Sequence, residues 1–131
     1  TDLGLDEALR RGEAFAEAGA DVLFIESPES QEEMAIIGER FQGVPLLANM
    51  VEGGRTPVLS KARLQELGYS ISIHPGSAFM ATAAACAGIY QTLKDTGATL
   101  EATTAMLPFA DMNRLVGFPA VWDFEKRHPE R

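Results

Sequence analysis

Cysteine is almost missing from this chain: Cys86 is the single one among 131 residues. No internal disulfide can form, which excludes a small stapled scaffold of the secreted kind. Histidine is nearly as scarce, with His74 and His128 alone, and no metal-ligand spacing, phosphate-binding loop, dinucleotide fingerprint or Ser/His/Asp order appears. Basic residues are in the minority, 11 against 19 acidic, for a formal net charge of -8. That balance disfavours nucleic acid and anionic membrane as partners. It leaves a small anionic substrate open, because a few local donors decide such binding. Long hydrophobic runs are also lacking. The Ala-rich stretch from Ala81 to Ala87 is too short and too small-sided to span a bilayer, and no segment reads as a signal peptide. A cytoplasmic location is expected. The chain opens on Thr1-Asp2 rather than Met, and the expectation is that a further segment precedes it.

What is present is an ordinary globular balance, 46% apolar and 23% charged, in a length that suits one domain at most. Leu5, Leu9, Phe15 and Ala16 fall on roughly one face of a helix that opens with Asp6 and Glu7, acids suited to a helix N-terminus. Gly19 is its natural stop. Val22 to Ile25 is a continuous apolar run ending at Glu26, as in a strand covered on both faces, and Ser27-Pro28 breaks it. Ser30 and Glu33 have capping-box spacing, predicting a helix from Ser30 through Phe41, stopped by Gly43. Pro45 to Ala48 predicts a second strand ending at Asn49. Ser60 can cap a short helix to Leu67, stopped by Gly68. Tyr69, Ile71 and Ile73 alternate with Ser70, Ser72 and His74 in a third strand, broken by Pro75. A small-residue helix is expected from Ser77 to Thr96, closed by Gly97. Beyond it, one or two short helices are expected around Thr103 to Leu115, then a tail with Phe118, Trp122 and Phe124.

Gly19, Gly43 and Gly68 recur at nearly constant spacing, a repeat of helix–strand units. Strands joined by single helices run parallel with right-handed crossovers. Three of them fit either a doubly wound sheet or part of a (β/α)₈ barrel, whose full length of about 250 residues is roughly twice this chain.

In either fold, sites form at the C-terminal ends of strands. The polar residues there are Glu26, Asn49 and His74. After Asn49 comes Met50-Val51-Glu52-Gly53-Gly54-Arg55-Thr56-Pro57. Its glycines let a ligand approach backbone, and Asn49, Arg55 and Thr56 can donate to carboxylate or phosphate oxygens. Pro75-Gly76-Ser77 opens a helix, where free N–H groups favour anions. Each residue also has a plainer role. Glu26 can cap the following segment, and Asn49 is a common turn former. His74 suits a packed or partly exposed position. Glu52 and Arg55 can simply pair with each other at the surface. Cys86, among alanines, reads as a small core residue, and Glu29, Glu32 and Glu33 as a solvated helix face.

Three segments together, Gly19-Ala20-Asp21-Val22-Leu23-Phe24-Ile25-Glu26-Ser27-Pro28, Leu47-Ala48-Asn49-Met50-Val51-Glu52-Gly53-Gly54-Arg55-Thr56-Pro57, and Leu67-Gly68-Tyr69 through His74-Pro75-Gly76-Ser77-Ala78, resemble the isocitrate lyase and phosphoenolpyruvate mutase superfamily in order and spacing. The Asn-Met-Val-Glu-Gly-Gly form is most similar to the branch holding 2,3-dimethylmalate lyase, petal death protein and carboxyphosphonoenolpyruvate phosphonomutase, and also resembles methylisocitrate lyase. Thr1-Asp2 resembles the end of that family's Ala-Arg-Thr-Asp motif.

The resemblance implies an α/β fold, the C-terminal portion of a (β/α)₈ barrel. Residues 1–97 would supply the units of its sixth to eighth strands, and 98–131 a helical tail packing on another subunit of a homo-oligomer, a dimer or tetramer. It implies a Mg²⁺-dependent carbon–carbon lyase acting on a small 2-hydroxy di- or tricarboxylate such as 2,3-dimethylmalate or methylisocitrate. The alternatives are a phosphonomutase acting on a phosphoenolpyruvate-like acid, or a non-catalytic fragment stable only by assembly. Glu26 is the implied catalytic residue. Asn49, Glu52, Gly53, Gly54, Pro75 and Ser77 are the implied substrate-binding residues, with Pro75 and Ser77 shaping the pocket floor. No metal ligand is assigned within the chain, because the Mg²⁺ carboxylates belong to earlier strands. Cys86 does not match the catalytic cysteine of the family's gating loop. Gly76 departs from relatives, which commonly carry a larger apolar residue there.

Overall fold

A helix that ends in a glycine can turn its chain sharply, because that residue adopts positive φ without a Cβ penalty. The first three helices end this way, at Gly19, Gly43 and Gly68, with φ of 94°, 88° and 88°. Each turn feeds a strand. The computed structural model describes residues 3–129, so Thr1-Asp2 lies outside the described residues. The elements run α1 (Gly4–Glu17), β1 (Leu23–Phe24), α2 (Gln31–Arg40), β2 (Leu46–Asn49), α3 (Lys61–Glu66), β3 (Tyr69–Ile73), α4 (Ser77–Thr96), α5 (Phe109–Leu115) and α6 (Phe118–Arg127). Ser30 caps α2 by accepting from the Glu33 N–H, and Ser60 caps α3 by accepting from the Arg63 N–H. The reciprocal bond of the capping box reaches one residue further back than expected: Glu33 Oε2 accepts from the Glu29 N–H at 2.7 Å.

The three strands form one parallel sheet in the order β1-β2-β3. Chain order and sheet order agree, as in successive units of a (β/α)₈ barrel. Leu23 pairs with Leu46 and Phe24 with Leu47. Leu46 pairs with Tyr69, Leu47 with Ile71, Ala48 with Ser72 and Asn49 with Ile73. The ladder of β1 is shorter than the run Val22 to Ile25 suggested, because only Leu23 and Phe24 find partners on β2.

Residues paired across parallel strands share a face. One face carries Leu23, Leu46, Ala48 and Tyr69, all buried in a cluster with Met34 and Ile37 of α2 and Leu64 of α3, and with Leu5, Leu9 and Ala16 of α1 packed alongside. The helices α1 to α3 therefore cover this face. Their fit is tight at Gly38, where an added Cβ would lie 1.8 Å from the Leu67 carbonyl oxygen. The other face carries Phe24, Leu47, Asn49, Ile71 and Ile73. It is open: Phe24 is 46% exposed, and Ile71 and Ile73 are 40% exposed.

A register shift between Leu46 and Leu47 leaves Ser70 as an extra residue on β3. The alternation of Tyr69, Ile71 and Ile73 suggested one common face. The shift instead turns Tyr69 into the helix-covered core and leaves Ile71 and Ile73 on the open face.

The chain divides into two compact units, one running to Thr82 and the other beginning at Ala83. In the second unit, an added Cβ at Gly88 of α4 would meet Thr104 Oγ1 at 2.5 Å, so the segment after α4 lies directly on that helix. The short helix expected from Thr103 starts later, at Phe109, because Pro108 sits at its N-cap and disfavours helical geometry in the residue before it. The aromatics Phe118, Trp122 and Phe124 fall within α6, and the Phe118 and Trp122 rings stack at 5.9 Å between centroids.

Candidate active site

The parallel register brings the C-terminal ends of all three strands to one edge of the sheet. On the open face, Phe24, Leu47 and Ile71 form one layer across the strands, and Asn49 and Ile73 form the next. Glu26 lies two residues beyond Phe24, as Asn49 lies two beyond Leu47. Its neighbour Ile25 points the other way, since an added Cβ at Gly12 of α1 would meet Ile25 Cδ1 at 3.2 Å. Glu26 itself is exposed and lies past the end of β1, so the strand pairing does not fix the face it takes.

Asn49 is half-buried, and its Oδ1 is fully buried without a hydrogen-bond partner among the described residues. Buried amide groups are nearly always paired, so an unpaired one asks for a reason. An amide at a strand end offers one acceptor and two donors to whatever meets it there. The turn-former reading of Asn49 does not account for this, because Asn49 is the last residue of a strand paired to Ile73.

The following loop is a tight turn. The Gly54 N–H donates to the Val51 carbonyl at 3.0 Å, and Gly53 has φ of 75°. A Cβ at Gly54 would lie 3.0 Å from that same carbonyl oxygen. Turn closure therefore accounts for both glycines, whatever they also do for a ligand.

The structure brings Glu52 and Ser77 together. The Ser77 hydroxyl, in the first turn of α4, donates to Glu52 Oε1. This bond is the main cause holding the Glu52 carboxyl below its usual range, followed by the residue's own backbone N–H and the nearby His74. A Cβ on Gly76 would lie 3.0 Å from Met80 Cε, the end of a flexible side chain, and at ordinary contact distance, 3.7 Å, from Val51 Cγ1. The expected surface pair of Glu52 with Arg55 is replaced by this contact. Arg55 instead lies 3.8 Å from Glu29, across the loop that follows β1. The loop after β2 is thus joined to its neighbours on both sides. Pro75 and His74 are exposed.

The loop after β1 holds a residue that the sequence did not single out. Ser27 has φ of 56°, the one positive value at a non-glycine position among the described residues, and its hydroxyl donates to Glu26 Oε1 at 2.9 Å. Glu26 also borders an open cleft of about 560 Å³ running along α1 and the outer edge of β1, with Glu7, Arg11 and Phe24. Glu7 lines that cleft with Arg11, and hydrogen bonds from Arg10 and Arg11 lower its carboxyl to about 2.

Two further expectations meet the structure differently. Cys86, read as a core residue, is exposed, because α4 buries none of its residues. Tyr69, read only as a strand residue, is buried with no partner for its hydroxyl among the described residues, and burial pushes it up to about 12. That hydroxyl lies on the helix-covered face, away from Asn49.

Residues 1–95 match the family described as phosphoenolpyruvate phosphomutase. The chain belongs to this family. It is 44% identical over 128 residues to 2,3-dimethylmalate lyase of Eubacterium barkeri, covering 98% of this chain and 44% of that protein. It is 35% identical over 125 residues to the chloroplastic carboxyvinyl-carboxyphosphonate phosphorylmutase of Arabidopsis thaliana, covering 95% of this chain and 37% of that protein. Among solved structures, it superposes on phosphonopyruvate hydrolase in complex with oxalate and Mg²⁺ with a TM-score of 0.77 at 28% identity, covering 98% of this chain and 46% of that one. The chain thus spans less than half the length of the relatives it matches. Relatives in the phosphoenolpyruvate phosphomutase family include both lyases and mutases, and the three-stranded parallel sheet belongs to a (β/α)₈ barrel of that family, as the sequence resemblance implied.

Among the described residues, no group of three or more His, Cys, Asp or Glu is placed to hold a metal ion. Glu26 and Glu52 are each engaged by a serine hydroxyl, that of Ser27 and that of Ser77. These residues do not fit a Mg²⁺ centre by themselves. What they can do is bind and orient a small acid: one carboxylate, one amide and one hydroxyl, gathered at one edge of a sheet.

Proposed function

We propose that a protein carrying this chain is a Mg²⁺-dependent carbon–carbon lyase that cleaves a small 2-hydroxy dicarboxylate, with 2,3-dimethylmalate the first candidate. The observation that carries this reading is Asn49 at the C-terminal end of β2, whose Oδ1 is buried and has no partner among the described residues. The 44% identity to 2,3-dimethylmalate lyase supports the choice of substrate.

In this reading the Asn49 amide N–H donates to a substrate carboxylate. A neutral amide holds a carboxylate without leaving a charge of its own unpaired when the site is empty. Glu26 accepts the proton of the 2-hydroxyl. As that proton leaves, the hydroxyl carbon becomes a ketone, the bond between C2 and C3 breaks, and its electron pair stays on C3 as an enolate that then takes up a proton. The products from 2,3-dimethylmalate are pyruvate and propionate. Ser77, Glu52, Gly53, Gly54 and Pro75 shape the surrounding pocket. The Mg²⁺ dependence rests on the family resemblance and on the Mg²⁺ complex of phosphonopyruvate hydrolase. Its carboxylates would lie outside the residues of this chain, in strands preceding the sixth, seventh and eighth supplied here.

A phosphonomutase is the second reading, favoured by the 35% identity to the phosphorylmutase. A homo-oligomeric, cytoplasmic protein completes the proposal. The exposed Phe109, Leu115 and Phe124 of α5 and α6 suit a subunit contact, and among the described residues no helix is long and apolar enough to cross a membrane. The test is incubation of the protein carrying this chain with 2,3-dimethylmalate and Mg²⁺. Pyruvate and propionate should form in equal amounts and cease with chelation. Conversion of phosphonopyruvate to phosphoenolpyruvate, with no pyruvate from 2,3-dimethylmalate, would favour the mutase instead.

A further inference from the structure

Between Ile25 and Pro28 the chain is anchored at both ends. Ile25 packs into the core beside Gly12, and Pro28 is buried. The two residues between them, Glu26 and Ser27, must make the turn out of the strand. Ser27 makes it with φ of 56°. Positive φ is uncommon for a residue with a Cβ, and the residue before a proline is normally extended. Strain of this kind persists where surrounding structure over-determines it, and it clusters at functional sites. In this conformation the Ser27 hydroxyl donates to Glu26 Oε1 at 2.9 Å.

We infer that Ser27 is a positioning residue for Glu26, holding one oxygen of its carboxylate so that the other faces the reactant. The inference rests on the reading of Glu26 as the group that accepts the substrate proton. An exposed glutamate samples many rotamers, and fixing it before the substrate arrives removes that entropy from the reaction step. With Oε1 committed to the serine hydrogen, Oε2 is the oxygen left to take a proton. A glycine would make the same turn without strain, so backbone geometry alone gives no reason for a serine here. The hydroxyl gives one.

The test compares Ser27→Ala and Ser27→Gly with Glu26→Gln, in the protein carrying this chain, by cleavage of 2,3-dimethylmalate and by thermal midpoint. Both serine variants lose the hydroxyl, and only the glycine relieves the backbone. Catalysis should follow the hydroxyl: kcat should fall about 3- to 10-fold in both, with KM little changed. The thermal midpoint should follow the backbone, higher in Ser27→Gly than in Ser27→Ala. Wild-type kcat in both serine variants, while Glu26→Gln loses turnover, would overturn the inference and leave the role of Glu26 standing. Wild-type kcat in Ser27→Gly with a loss in Ser27→Ala would also overturn it, since the role would then be one of backbone. Full turnover in Glu26→Gln would remove the assignment of Glu26 itself, and this inference with it.

Discussion

The Ser77 hydroxyl donates to the Glu52 carboxylate, tying the loop after β2 to the first turn of α4. The bond, with the residue's own N–H and His74, holds the Glu52 pKa below its model-compound value of 4.5. A carboxyl with a depressed folded pKa contributes stability that is present above its unfolded value and lost as pH falls through the folded one. Ser77→Ala should therefore move the Glu52 titration up towards 4.5, seen by carboxyl-carbon NMR. Acidification below about pH 4.5 should destabilise Glu52→Gln less steeply than the wild type. An unchanged Glu52 titration in Ser77→Ala would show that the bond is not formed in solution.

Gly38 and Gly43 offer a contrast in what a methyl group costs. A Cβ on Gly38 would sit 1.8 Å from the Leu67 carbonyl oxygen, an obstacle of backbone that cannot rotate away. A Cβ on Gly43 would meet nothing within 4 Å, but the residue holds φ of 88°. Gly43→Ala should cost about 1–2 kcal/mol, the strain of the left-handed conformation. Gly38→Ala should cost about 3 kcal/mol or more, because α2 and the end of α3 must move apart. Chemical denaturation of the two variants measures both, and equal costs would contradict the packing described.

Much of the fold was legible because local chemistry dictates it. Ser30 and Ser60 cap helices whose free N–H groups need acceptors, and Gly19, Gly43 and Gly68 stop them where a left-handed residue is needed. The apolar runs after Gly19, Gly43 and Gly68 mark the strands, although β1 forms over only part of its run. The facing of β3 was not legible, because a single extra residue, Ser70, exchanges the faces, and nothing in the alternation of Tyr69, Ile71 and Ile73 announces it. The environment of Cys86 depends on what covers α4, which composition cannot report. The partners of Glu52 and Arg55 were equally hidden: proximity in sequence suggested that they meet, but the tight turn at Gly53 and Gly54 sends them to opposite neighbouring loops. Ser27 was read only as half of a strand-breaking pair, since a positive φ before proline runs against the usual preference of both residues. The parallel order of the three strands was legible too, and it puts their C-terminal ends at one edge of the sheet, as expected.

The central proposal is that Glu26 and Asn49, following β1 and ending β2, bind and cleave a small carboxylate. The most direct measurement is kcat/KM for 2,3-dimethylmalate in Asn49→Ala beside Cys86→Ala, with thermal midpoints for both. Asn49→Ala removes a donor to a charged group, about 1.5–3 kcal/mol, so kcat/KM should fall roughly 10- to 150-fold while the midpoint changes little. Cys86 is exposed, so Cys86→Ala should leave both quantities near wild type. A Cys86→Ala variant without turnover, beside an Asn49→Ala variant with wild-type kcat/KM, would contradict the account.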